Sequence, residues 1–107
     1  MSKRLELHEI LCEIINITEP DGDRHTYFSP PESMKMKYPA IRYSRIRIDN
    51  TFANDNVYKQ NTAYEVIAIY KDPDSEIPIK ISQLPMCSYN RQYIADNLIH
   101  DVFTIYY

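Results

Sequence analysis

The stretch Thr62-Ala63-Tyr64-Glu65-Val66-Ile67-Ala68-Ile69-Tyr70-Lys71 decides the fold. In an extended chain Tyr64, Val66, Ala68 and Tyr70 point to one side, while Ile67 and Ile69 point to the other. Both faces are therefore apolar. A strand open to water on one side alternates apolar with polar residues, whereas one covered on both sides reads as a continuous apolar run. The segment is expected in the middle of a sheet.

Upstream of it, Tyr38 to Asp49 also alternates, but Ile41 and Tyr43 occupy odd positions while Ile46 and Ile48 occupy even ones. A period of two that changes phase predicts a strand with a β-bulge or bend near Ser44-Arg45. Between the two strands, Asn50 to Asn61 is polar and asparagine-rich, with Phe52, Val57 and Tyr58 as isolated apolar points. It reads as a long hairpin loop, a kind of segment that is often functional. At the N-terminus Leu7, Ile10, Leu11, Ile14 and Ile15 recur at i, i+3, i+4, i+7 and i+8, which predicts an amphipathic helix over 3–17. Pro20 and the Asp21-Gly22-Asp23 turn end it. A short strand over 24–28 follows, and Pro30-Pro31 then forces an extended connection.

Downstream, Asp72-Pro73-Asp74-Ser75-Glu76 carries helix-start residues, and Ile77, Ile81 and Leu84 continue a helical stripe until Pro85. Pro78 fits only in the first turn, which makes Ser75 or Asp74 the expected N-cap. Cys87 to Ile94 alternates as a strand, Ala95-Asp96-Asn97 is a turn signal, and Ile99 to Tyr107 closes the chain as a strand. The order α-β-β-β-α-β-β predicts an α+β domain: an antiparallel-rich mixed sheet of about five strands with two helices packed on it.

The chain has 107 residues, of which 44% are hydrophobic and 25% charged. That is the composition of one folded domain, taken to span 1–107. A single glycine accompanies ten tyrosines, and a chain so poor in glycine cannot build the phosphate cradles of P-loops or dinucleotide folds. Cys12 and Cys87 fall short of a disulfide framework, no signal peptide precedes them, and no apolar run approaches a membrane span. A soluble protein of a reducing compartment is expected, with no membrane partner. The Asn16-Ile17-Thr18 sequon is then a chance match. Net charge is −3, but its distribution is uneven. Lys35, Lys37, Arg42, Arg45 and Arg47 form a basic stretch, while acid gathers in Glu19/Asp21/Asp23 and in Asp72/Asp74/Glu76. Such separated stretches can meet within the fold or between copies.

None of the chemical candidates completes a site. His8 and Cys12 stand one helical turn apart, but zinc needs three or four ligands and no CxxC or HxxxH completes the set. Asp72, Asp74 and Glu76 lack the glycine and the closing glutamate of a calcium loop, and helix capping explains them more simply. Cys87, His100 and Asp101 would form a nucleophile, base and orienter only by converging in space, and the position of Cys87 inside a strand suits an inert thiol. No catalytic residue, metal site or cofactor is expected. The basic stretch interleaved with Tyr38 and Tyr43 carries residue types that bind nucleic acid, but no nucleic-acid-binding motif accompanies it, so specific recognition is not expected.

Three blocks carry a resemblance: Pro30-Pro31-Glu32-Ser33-Met34-Lys35-Met36-Lys37-Tyr38-Pro39, Asp72-Pro73-Asp74-Ser75-Glu76-Ile77-Pro78 and Ala95-Asp96-Asn97-Leu98-Ile99-His100-Asp101-Val102-Phe103. They resemble the small tail-terminator, or tail-completion, proteins of long-tailed bacteriophages. The resemblance implies a structural α+β subunit without enzymatic activity. It would form a homo-oligomeric ring, a hexamer, at the head-proximal end of the tail tube, stop tube growth and join the tail to the head. The implied partners are further copies, the tail-tube protein and a head-completion or neck protein; the implied places are the virion and, during assembly, the host cytoplasm. A head-completion adaptor or minor tail protein is the alternative within that class, and a basic-patch nucleic-acid-binding module is the alternative outside it. On the structural reading the interface candidates are Arg42, Arg45, Arg47, Phe52, Tyr58, Asp72, Asp74 and Glu76.

Overall fold

In the computed structural model the apolar segment at 62–70 lies inside the third and middle strand of a five-stranded sheet. Residues 3–16, 25–30, 38–53 and 56–107 are described, with 51–53 and 56–60 described by their backbone alone. The elements are α1 (Lys3–Asn16), β1 (Thr26–Phe28), β2 (Ala40–Ala53), β3 (Asn56–Tyr70), α2 (Ile77–Ser82), β4 (Cys87–Ala95) and β5 (Leu98–Tyr106). The strand order is β1-β2-β3-β5-β4. β1 runs parallel to β2 and every other pair is antiparallel. The expected α+β fold and its α-β-β-β-α-β-β order are thus present.

Both faces of β3 are buried, as its sequence requires. Tyr64, Val66, Ala68 and Tyr70 join Leu7, Leu11, Ile14 and Ile15 of α1, Ile77 and Ile81 of α2, and Phe103 and Ile105 of β5 in the main core. On the opposite face Ile67 and Ile69 cluster with Leu98 and Val102, and Tyr93 packs against them. A fully buried branched aliphatic side chain contributes about 1.5–3 kcal/mol. The stripe on α1 is therefore what fixes the helix to the sheet.

Several boundaries differ from expectation. The phase change in β2 is a register break between Arg45 and Arg47, close to the expected bulge. β1 begins at Thr26 rather than 24. α2 starts with Glu76 at the N-cap, in helical geometry and with no side-chain cap, so neither Ser75 nor Asp74 holds that position. The Ser75 hydroxyl instead accepts from the Ile77 N–H at 3.3 Å, and the Asp72 carboxylate accepts from the Asp74 N–H at 2.9 Å. Both bonds tighten the turn just ahead of the helix. Pro78 lies in the first turn, as expected. The β4–β5 turn is made by Asp96 and Asn97 at φ 53° and 63°, residues whose short polar side chains tolerate the left-handed region. This turn is made without glycine. The Asp21-Gly22-Asp23 turn and the Pro31-to-Lys37 connection lie outside the described residues.

Candidate functional site

The largest departure from the sequence reading is at Asn50 to Asn61. No long loop is present there, because β2 continues to Ala53 and β3 begins at Asn56, paired Thr51 with Lys59, Phe52 with Val57 and Ala53 with Asn56. Neither neighbouring strand extends this far. β1 pairs only with Ile41 to Tyr43, and β5 reaches no further along β3 than Ala63. Beyond Arg47 and Ala63 the two strands therefore run on, among the described residues, as a two-stranded arm, which contributes to a long axis of 51 Å against 29 and 28 Å in the other directions. An extended strand rises about 3.3 Å per residue, so the arm reaches roughly 20 Å past its root.

The arginines of β2 are divided between the two faces of the sheet. Arg42 pairs with Ile67 and Arg47 with Ala63, on the face away from the helices, whereas Arg45 pairs with Tyr64 on the helix-covered face. The register break is what separates Arg45 from Arg47. Arg47 binds Asp49 at 2.9 Å, and its guanidinium lies 5.3 Å from the centre of the Tyr106 ring. That pair is half exposed and contributes little. Ile46 and Ile48 at the root of the arm are 47% and 45% exposed. Arg45 and Arg47 thus stand near the root of the arm, whereas Arg42, between Tyr27 and Ile67, lies further back in the sheet, and the three do not form one stripe. Phe52 and Tyr58 belong to the arm by their backbone, and their side chains lie outside the described residues. Asp72, Asp74 and Glu76 are exposed after the far end of β3, roughly 20 Å from Arg45 along the strand.

Two polar clusters inside the fold had no signal in the sequence pattern. Tyr43, a contact candidate by its place beside the arginines, is instead a core residue at 1% exposure. Its hydroxyl lies 2.6 Å from His8 Nδ1, and Arg4 donates to it at 3.4 Å. Burial raises the pKa of this phenol, so that it ionises less readily, and Arg4 partly opposes the shift. The second cluster centres on Asp101, buried at 2% exposure. Its carboxylate accepts from the Tyr70 hydroxyl, from Tyr89 at 2.9 Å and from Gln92 at 3.0 Å. Alternation along β4, β5 and β3 explains how they meet, since Gln92 and Ala68 both lie opposite Asp101 on the sheet.

The other candidates do not converge. His100 and Asp101 are adjacent in β5 and so face opposite ways; His100 stacks on Tyr93 at 4.6 Å, while Cys87 is opposite Ile105. Burial pushes the Cys87 thiol up from its ordinary range, the reverse of what a nucleophile needs. His8 turns to Tyr43, and Cys12 is buried. Among the described residues no group of three or more His, Cys, Asp or Glu side chains is placed to hold a metal ion, and no helix is long and apolar enough to cross a membrane. What remains as a candidate site is the arm, with the exposed Arg45, Ile46 and Ile48 at its root. No family model, curated protein or solved structure matches this chain.

Proposed function

We propose that the chain is a structural subunit that assembles with copies of itself into a ring and terminates a bacteriophage tail tube, joining the tail to the head. The observation that carries the assembly part is the projecting two-stranded arm. An isolated two-stranded ribbon is marginal in water, and its outer edges carry unpaired backbone donors and acceptors. Such an element gains most when it lies against another protein. The basic root of the arm and the acidic loop at Asp72 to Glu76 stand at separate places along β3, which suits a contact in which one patch meets a different patch on the next copy. Contacts of that kind close into rings or run on as filaments. The tail-tube assignment rests on the likeness of the three sequence blocks to tail-terminator proteins; the ring is then a hexamer, with the tube protein and a head-completion or neck protein as its partners.

Light scattering on the purified chain, followed by electron microscopy with tail-tube protein added, tests both parts. Rings in solution and capped tubes are the expected results. A monomer at every concentration, leaving tubes uncapped, would sink the proposal. Rings that bind a neck protein but ignore tubes would move the assignment to a head-completion adaptor.

A further inference from the structure

At the root of the arm two isoleucines stand open to solvent beside a cation. The register sets Arg45 opposite Tyr64 and Ile48 opposite Thr62. Tyr64 and Thr62 are two residues apart on β3, so Arg45 and Ile48 lie on the same, helix-covered face of the sheet. Ile46 falls at the break between Arg45 and Arg47, where a bulge re-aims a side chain. All three are exposed, and Arg47 is held by Asp49 whereas Arg45 has no ion partner among the described residues.

A surface of the opposite charge follows the far end of β3. Asp72, Asp74 and Glu76 are exposed, and none of them has an ion partner among the described residues. Ile77 and Ile81 are buried, so Ile79, at 59% exposure, faces outward on α2, about one helical turn from Glu76. This segment therefore also sets an isoleucine beside charge. Lys71 and Lys80 are the exposed cations around it, and three acids against two lysines leave it acidic. One chain cannot bring the two surfaces together, because roughly 20 Å of the paired middle strand separates them.

We infer that the patch of Arg45, Ile46 and Ile48 receives the segment from Asp72 to Ile79 of a second copy, with Ile79 against the two isoleucines and Arg45 against Asp74 and Glu76. The inference rests on the self-assembly reading above and names the residues that meet. Complementary charge sets partner and register in such a contact, and the apolar area holds it. The patch and the segment are different surfaces of one chain, so each copy offers one to either neighbour, the head-to-tail arrangement that a closed ring needs.

The test reverses the charge on each side, with Arg45→Glu in one variant and Asp74→Lys/Glu76→Lys in another, and thermal melts show that both fold. Each variant alone is expected to raise the concentration needed for assembly at least about tenfold, since like charges then face each other. An equimolar mixture should assemble again, because each variant's patch fits the other's segment, in rings where the two alternate. Wild-type assembly should also weaken in about 1 M salt, where screening falls to about 3 Å. Variants that assemble as readily as wild type, a mixture that stays apart, or wild-type assembly indifferent to salt would overturn this contact and leave the self-assembly reading standing. A wild-type monomer at every concentration would overturn both.

Discussion

Replacing Asp101 with alanine withdraws the acceptor on which Tyr70, Tyr89 and Gln92 converge. The consequences differ for each donor. Tyr70 is 4% exposed, so its hydroxyl would be stranded, whereas Tyr89 is 55% exposed and can turn to water. A stranded buried donor costs about 1–3 kcal/mol, and a hydrogen bond to a charged group contributes about 1.5–3 kcal/mol. Asp101→Ala is therefore expected to lower stability by about 2–3 kcal/mol, Tyr70→Phe by about 2 kcal/mol, and Tyr89→Phe by less than about 1 kcal/mol. Removing both ends of one bond should not cost the sum. The Asp101→Ala/Tyr70→Phe double variant should lose about 2–3 kcal/mol in place of an additive value of about 4–5 kcal/mol. Urea denaturation followed by circular dichroism gives each value from the midpoint, provided the slope is unchanged. Additive losses in the double variant, or a Tyr89→Phe loss equal to that of Tyr70→Phe, would refute the reasoning.

The same network sets a response to alkali. Burial first, and the Asp101 hydrogen bond second, raise the Tyr70 pKa above its ordinary 10.0. The stability tied to the protonated phenol is complete below pH 10.0 and is lost as pH climbs from there toward the folded value; Tyr70→Phe should flatten the decline in stability measured at rising pH. Leu11, at 0% exposure, should cost about 3–4 kcal/mol when cut to alanine, while Ile48→Ala, at 45% exposure, should leave the urea midpoint of the monomer almost unmoved. Cys87 should label slowly with iodoacetamide at neutral pH and faster as pH rises, because burial keeps it a thiol, and Cys12, 5% exposed, should label more slowly still. In dilute subunits the amides of Ala63 to Tyr70, flanked by strands on both sides, should exchange at least about a hundredfold more slowly than those of Thr51 to Asn61. Equal protection would mean that the arm is held by the body of its own chain.

The parts of the fold that could be read in the sequence are those in which burial leaves a period. The stripe on α1 and the double-sided apolar run of β3 each record contact with a core, and the odd-to-even change in β2 records the break after Arg45. The Asp96-Asn97 turn was equally legible, since its positive φ values demand residues of that kind. The buried polar groups left no such trace. Asp101 reads as a strand-opening acid because alternation says nothing about which neighbouring strand supplies a donor, and Tyr70, Tyr89 and Gln92 come from separate positions on two other strands. The role of Tyr43 left no trace either. Arg42 precedes it and Arg45 follows two residues on, but the register break comes after it, so it stays on the core side with Tyr64 and Val66.

The arm was misread as a loop for a reason that bears on its role. Alternation is the mark of a strand with one dry face, and the polar sequence from Asn50 to Asn61 carries none. Asn50, Asn56, Gln60 and Asn61 therefore look like loop residues although the backbone around them is paired. Their polarity keeps the open edges compatible with water before any partner arrives. A polar ribbon with isolated aromatic residues is thus the pattern expected where a strand pair completes its burial on another molecule, which is the reading proposed for the arm.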